Sequence, residues 1–174
     1  MTIEARQRSQ AGFTLIEVLV AALVLSIGLV GVAGLQAVTL KNNQSTFMQS
    51  QAAALAYDLA DRMRANVAGA GAGAYDPGTK AFTAGCTTVT GCSASNLAAH
   101  DLAEWDAAIA TYLPDGEGFV CVDSTPDDGT GEANPQCDGS GQQFAVKIWW
   151  DDNRDGAITV DDTNNERLTI SFQL

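Results

Sequence analysis

The sequence predicts an α+β chain in which one long N-terminal helix, half of it membrane-spanning, packs on a small antiparallel sheet. Three observations carry this expectation. Between Phe13 and Leu40 the only charged residue is Glu17. Residues 41–66 follow with no Gly or Pro and are rich in Ala, Gln, Leu and Met, mostly good helix formers. Late in the chain, FAVKIWW and RLTISFQL alternate apolar and polar residues at the period of a strand.

The apolar run 13–40 reaches the ~20 residues that cross a bilayer core. Arg6 and Arg8 precede it and would hold its N-terminus in the cytoplasm, placing everything after residue 40 outside. A plain signal anchor or a cleaved secretory signal gives the same first impression. The run is long for a signal core of ~7–15 residues, however, and it contains a carboxylate. An acid at the centre of a membrane helix costs on the order of 3 kcal/mol on insertion scales, so Glu17 calls for a partner. The next base downstream is Lys41, out of reach on the same helix.

Beyond the membrane segment, Phe47, Gln51, Ala54, Leu55, Leu59 and Met63 are expected to form the buried stripe of the helix. Asp58 and Arg62 sit at i,i+4, and Arg62 and Arg64 suit the helix C-terminus. The Ala/Gly stretch 67–79 breaks the helix at Asp-Pro-Gly. A second helix is expected over 101–113, capped by Asp101 with Glu104 three residues on. Its buried stripe is Leu102, Trp105, Ala108, Ile109 and Tyr112, its acids form a solvated face, and Pro114 follows. Strands are expected over 118–123, 143–150 and 167–174, as a sheet with one face on the long helix and the other partly exposed.

The charge is uneven. The formal net charge is −12, and residues 101–174 alone hold 16 acids against 3 bases. Such a chain repels phosphate backbones, so no nucleic-acid partner is expected. Its single histidine, His100, leaves little for a His-based metal or nucleophile site, and no Ser/His/Asp set or phosphate-binding glycine loop is present. No catalytic residues are expected.

Cys86, Cys92, Cys121 and Cys137 all lie beyond the membrane segment, where two disulfides are expected and sequence permits three connectivities. Cys86–Cys92 with Cys121–Cys137 is favoured because short loops close most easily. The spacings suit zinc poorly. In WWDDNRDGAITVDD, the residues Asp151, Asn153, Asp155 and Asp162, with the carbonyl of Ala157 and the turn at Gly156, fit an EF-hand-like calcium loop. The last acid is Asp rather than Glu and the loop follows a strand rather than a helix. An acidic hairpin that simply turns the chain is therefore the competing reading. No cofactor beyond this possible calcium is expected.

Gly12-Phe13-Thr14-Leu15-Ile16-Glu17 resembles the type III signal of the type IV pilin family. The resemblance implies that a prepilin peptidase cuts between Gly12 and Phe13 and methylates the new N-terminus at Phe13. It also implies that Glu17 pairs in the assembled filament with the N-terminal amine of a neighbouring subunit. Residues 1–12 are then a leader peptide, 13–40 the transmembrane and filament-core helix, and 41–66 its soluble half. Residues 67–117 form an αβ-loop region with a short helix, and 118–174 the sheet of a head. The segments QAAALAYDLADRMRAN and LAEWDAAIATYLPDGEG, with Trp149–Asp151, further resemble minor pilins of the PilV type. That likeness implies a subunit that primes pilus assembly near the tip. Its partners would be other minor pilins, the major pilin and a tip adhesin, and it would serve adhesion and twitching. It implies an inner-membrane precursor with a periplasmic C-terminal domain, later part of the extracellular pilus. A pseudopilin of a type II secretion or DNA-uptake system shares the first thirty residues and is the alternative.

Overall fold

The computed structural model describes residues 12–158, 160 and 166–174. Its elements, in order, are α1 (Leu15–Ala65), α2 (Val67–Gly71), a 3-10 turn (Ala84–Thr87), α3 (Ala94–Tyr112), β1 (Glu117–Val122), β2 (Phe144–Trp149) and β3 (Arg167–Phe172). The chain divides into two compact units, Met1–Asn43 and Gln44–Leu174.

In the first unit every described residue of α1 is exposed. The hydroxyls of Ser26 and Thr39 donate to the carbonyls of Ala22 and Leu35 one turn back, at 2.7 and 2.9 Å. Those polar groups are thereby satisfied inside the helix, as a lipid environment demands. This helix is long and apolar enough to cross a membrane.

The second unit is an α+β head, in which the distal half of α1, α3 and a three-stranded antiparallel sheet enclose one core. The strand order is β1-β2-β3, with Val120 opposite Val146 and Val146 opposite Ile170. The buried residues of α1 are Met48, Ala52, Ala56, Leu59, Ala60 and Met63. The stripe is therefore rotated from the one expected: Leu59 and Met63 are in it, but Phe47 is 61% exposed and Ala54 also faces out. Hydrophobicity alone favoured Phe47; the small alanines at 52 and 56 sit on the packed face instead.

Helix α3 starts seven residues earlier than expected. Ser93, not Asp101, is its N-cap and accepts from the Asn96 amide at 3.2 Å. The inward stripe is Ala98, Leu102, Trp105, Ile109 and the following Leu113, so Leu113 takes the place expected for Tyr112, which is 59% exposed. Gly118 of β1 lies under this helix. A Cβ there would stand 2.5 Å from both Ile109 Cδ1 and Trp105 Cη2, so the indole and the strand approach only because residue 118 has no side chain.

The sheet has one face on the helices and the other partly exposed, as expected, but its central strand is buried on both faces. Phe144, Val146, Ile148 and Trp150 face the helices, but Ala145, Lys147 and Trp149 on the other face are buried just as fully. The segment between β1 and β2 covers this face over β2, while Thr169 is half-buried and Ser171 exposed on β3, so the face as a whole is partly exposed.

Candidate functional site

At the N-terminal end, Gly12 and Phe13 precede the helix without regular secondary structure, and Phe13 is 82% exposed. Thr14 opens α1. Its carbonyl accepts from the Glu17 amide at 3.1 Å and its hydroxyl approaches the same amide at 3.4 Å. Thr14-x-x-Glu17 is thus a capping-box spacing, and Glu17 sits in the first turn where an acid favours the helix dipole. The sequence carried this capping-box spacing in plain view, at the threonine three residues before Glu17. Arg6 and Arg8 lie outside the described residues.

In the head, α1 and α3 are tied by a partly buried polar network. Arg62 meets Asp58 at 2.9 Å, Glu104 at 2.7 Å and Asp101 at 3.4 Å. Tyr75 donates to Asp101 Oδ2 at 2.6 Å and accepts from Asn66 Nδ2 at 3.2 Å. Asp101, expected as an exposed cap, is therefore a buried acceptor inside the helix. Glu104 is drawn to Arg62 and to His100 Nε2, 3.3 Å away, rather than back to a cap. The acids of this helix work as partners, not as a solvated face. Burial opposes the charge on Arg62, but hydrogen bonds to Glu104 and Asp58 outweigh it and hold the guanidinium pKa above its ordinary value. Burial, then the bond to Asp101, pushes the Tyr75 hydroxyl up. The Arg62 hydrogen bond holds Glu104 below the usual carboxylate range.

The structure joins Cys86 to Cys92 and Cys121 to Cys137, with Cα separations of 4.8 and 6.2 Å. Among the described residues no cysteine is free. Cys121, Asp123 and Cys137 offer atoms within 4.8 Å of one another, but both sulfurs are spent in the disulfide, so this is no thiolate metal centre. The loop closed by Cys121–Cys137 wraps Lys147. The ammonium forms an ion pair with Asp123 Oδ2 at 2.6 Å and donates to Asp128 Oδ1 at 2.5 Å and to the Pro135 carbonyl at 2.8 Å. Burial acts to raise the Asp128 pKa, but hydrogen bonds from Lys147 and Thr125 outweigh it and hold the carboxyl low. Lys80 bridges Asp106 and Glu132 at 2.5 and 2.6 Å. Burial disfavours its charge, yet these two carboxylates raise its pKa.

The 151–158 loop is organised around Asp151. Its Oδ1 accepts from the Arg154 amide at 2.6 Å and its Oδ2 from the Gly156 amide at 2.8 Å. Asn153 Oδ1 accepts from the Asp155 amide at 2.8 Å, and Asp155 Oδ1 from the Ala157 amide at 3.0 Å. Gly156 has φ +86°, the left-handed turn for which a glycine is suited. Asp151, Asn153, Asp155 and Ala157 are thus gathered in one turn, while Asp162 lies outside the described residues.

These ionisations set a pH dependence. Glu104, Asp128 and Asp138 have lowered pKa values in the fold. The stability they contribute is present above the ordinary carboxylate pKa of about 4 and lost as pH falls through the folded values. Tyr75, Lys80 and Arg62 have raised values. Their contribution is present below their ordinary pKa values, about 10 and above, and lost only as pH rises past the folded ones. The melting temperature should therefore be flat between about pH 5 and 9 and fall below about pH 4. Thermal melts at constant ionic strength check this.

An exposed apolar helix preceded by Gly12-Phe13, in a chain with a disulfide-bonded head, is suited to a membrane-anchored subunit. Comparison with protein families agrees. A model of the prokaryotic N-terminal methylation motif matches residues 7–33, and one of the type IV pilin Tt1218 matches residues 34–108. Together they span more than half of the chain, which belongs to the type IV pilins. Comparisons with curated proteins and with solved structures found no match.

Proposed function

We propose that this chain is a minor pilin that primes type IV pilus assembly and is incorporated near the tip, supporting adhesion and twitching motility. The observation that carries the filament role is Glu17, the one charged side chain in the apolar segment 13–40, every residue of which is exposed. Such a helix requires either lipid or a bundle of like helices around it, and the carboxylate requires a cation in either place. The amine freed at Phe13 by a prepilin peptidase supplies that cation from a neighbouring subunit. Before assembly the chain is a single-pass inner-membrane protein with its head in the periplasm. Its partners are the other minor pilins, the major pilin and an adhesin at the tip, and its role is structural rather than enzymatic.

Intact mass from the native host tests the processing. The expected chain begins at N-methylated Phe13, without the first twelve residues. A chain cut near residues 33–37 would make it a secreted domain. Deletion tests the machine: loss of twitching with intact secretion supports the minor pilin, and loss of secretion or DNA uptake with intact twitching assigns a pseudopilin instead.

Calcium is proposed for the acidic loop, held by Asp151, Asn153, Asp155, the Ala157 carbonyl and Asp162. The supporting observation is the left-handed Gly156 at the sixth position of the loop. At 100 times its dissociation constant, calcium should stabilise the chain by about 2.7 kcal/mol, a rise of roughly 5–10 °C in melting temperature that a chelator reverses. No shift with calcium would leave the loop as a simple turn.

A further inference from the structure

Residues 123–143 contribute no side chain to the hydrophobic core. Yet this segment closes the second face of β2, where Ala145, Lys147 and Trp149 are fully buried. What holds it there is charge. Lys147 reaches Asp123, Asp128 and Pro135. Arg167 donates to the Gly129 and Asp127 carbonyls at 2.9 and 3.1 Å and meets Asp127 Oδ1 at 2.7 Å. Lys80 takes Glu132, and the Glu132 amide donates to Glu117 Oε2 at 2.8 Å. Every acceptor of Lys147 and Arg167 named here lies between Cys121 and Cys137, inside the ring closed by the disulfide.

Two consequences follow. A loop with no apolar anchor depends on its covalent closure to keep its acceptors near the sheet, because an open chain would lose far more conformational freedom on docking. A fully buried ammonium, in turn, is not stable once those acceptors leave. The loop and Lys147 therefore open together or not at all.

We propose that the Cys121–Cys137 disulfide and Lys147 form a redox-sensitive latch, in which reduction releases the 123–137 loop from the sheet and exposes Lys147 while the helix–sheet core stays folded. A dithiol supplies the electrons: the S–S bond gains two electrons and two protons to give two thiols, and the dithiol becomes its own disulfide. In the oxidised head the sheet face is covered by a carboxylate-rich loop; in the reduced head the same face presents Lys147 and Trp149. The latch is independent of where in a filament the chain sits.

The chain has three lysines, Lys41, Lys80 and Lys147, so acylation of amines reads the latch directly. The full-length protein in detergent is treated with an acetylating N-hydroxysuccinimide ester, with and without dithiothreitol, and peptides are quantified by mass spectrometry. A Cys86→Ser/Cys92→Ser chain run in parallel confines reduction to Cys121–Cys137. Exposed Lys41 is the internal standard. In the oxidised chain Lys147 should react at least tenfold more slowly than Lys41, and after reduction its rate should rise about tenfold, while the α3 amides keep their protection against hydrogen exchange. Protection of Lys147 that persists after Cys121 and Cys137 have become alkylatable overturns the proposal. So does simultaneous loss of α3 protection, which would mean global unfolding, or a Lys147 that reacts like Lys41 from the start. Coupling has its own test: Lys147→Met should make the disulfide several-fold faster to reduce, by analogy with coupled neighbours. An unchanged rate refutes the latch.

Discussion

Glu17→Ala is expected to yield a chain that is cut and anchored normally but is absent from the filament. In the separate chain Glu17 lies in the first turn of an exposed apolar helix, with no base within reach on that helix. Leaving it ionised in lipid costs on the order of 3 kcal/mol, and pairing with a neighbour's N-terminal amine relieves both charges at once. Alanine removes that incentive to pack against a partner while making membrane insertion easier. The Gly12-Phe13 pair, where cleavage is proposed, is untouched. The comparison to make is the amount of variant in sheared pili against the amount in the membrane fraction, with intact mass reporting processing. A drop of about tenfold or more in the pili, equivalent to ~1.4 kcal/mol, is expected. Glu17→Gln separates charge from capping, because glutamine also serves in a capping box with Thr14. Both variants should be excluded. Incorporation of the glutamine form alone would assign the effect to the cap, and incorporation of both would end the assembly role of this residue.

Trp105→Ala should be the most damaging substitution in the head. The indole is 1% exposed, packs directly over Gly118, and its Nε1 donates to the Leu55 carbonyl of α1 at 3.0 Å. It thus joins α3, β1 and α1 at one point. Truncation of a buried tryptophan costs about 3–5 kcal/mol, and the glycine beneath it leaves no side chain to fill the space. At roughly 2–4 °C per kcal/mol, the melting temperature should fall by about 6–20 °C. Val89→Ala, at a fully exposed position, should change it by less than about 2 °C. Circular-dichroism melts of the two variants side by side make the test; equal shifts would mean that the indole is not the junction of the core.

The places where the sequence was legible share one property: a local pattern with a single physical reading. A run of apolar residues interrupted by one acid could be read without knowing what surrounds it. The alternation of Phe144, Val146 and Ile148, and of Leu168, Ile170 and Phe172, marked two strands within a residue or two of their ends. The Arg62–Asp58 pair followed from spacing alone. Where the reading failed, composition had been asked to decide a matter of packing. Phe47 is more hydrophobic than Ala52, but Ala52 and Ala56 are the residues fully buried on the packed face of α1, and Phe47 is exposed. Asp101 matched a cap because it preceded an apolar stripe, while the true start at Ser93 was hidden by a Thr/Ser-rich surrounding and by Ala98, too small to signal the stripe.

What the sequence by itself determined, then, is the long N-terminal helix with an apolar first half interrupted by one acid, the α+β head, and the three strands. Each depends on neighbours along the chain, and hydrophobic period, turn chemistry and charge spacing report such relations directly. Only the tertiary structure decided that β2 is buried on both of its faces rather than one. Lys147 reads in sequence as an outward position of a half-exposed strand. It is buried because Asp123, Asp128 and Pro135 are brought back over it by a loop folded on the far side of the sheet. A buried cation is stable only when its counter-charges converge on it, and convergence of residues distant in the chain is a property of the fold.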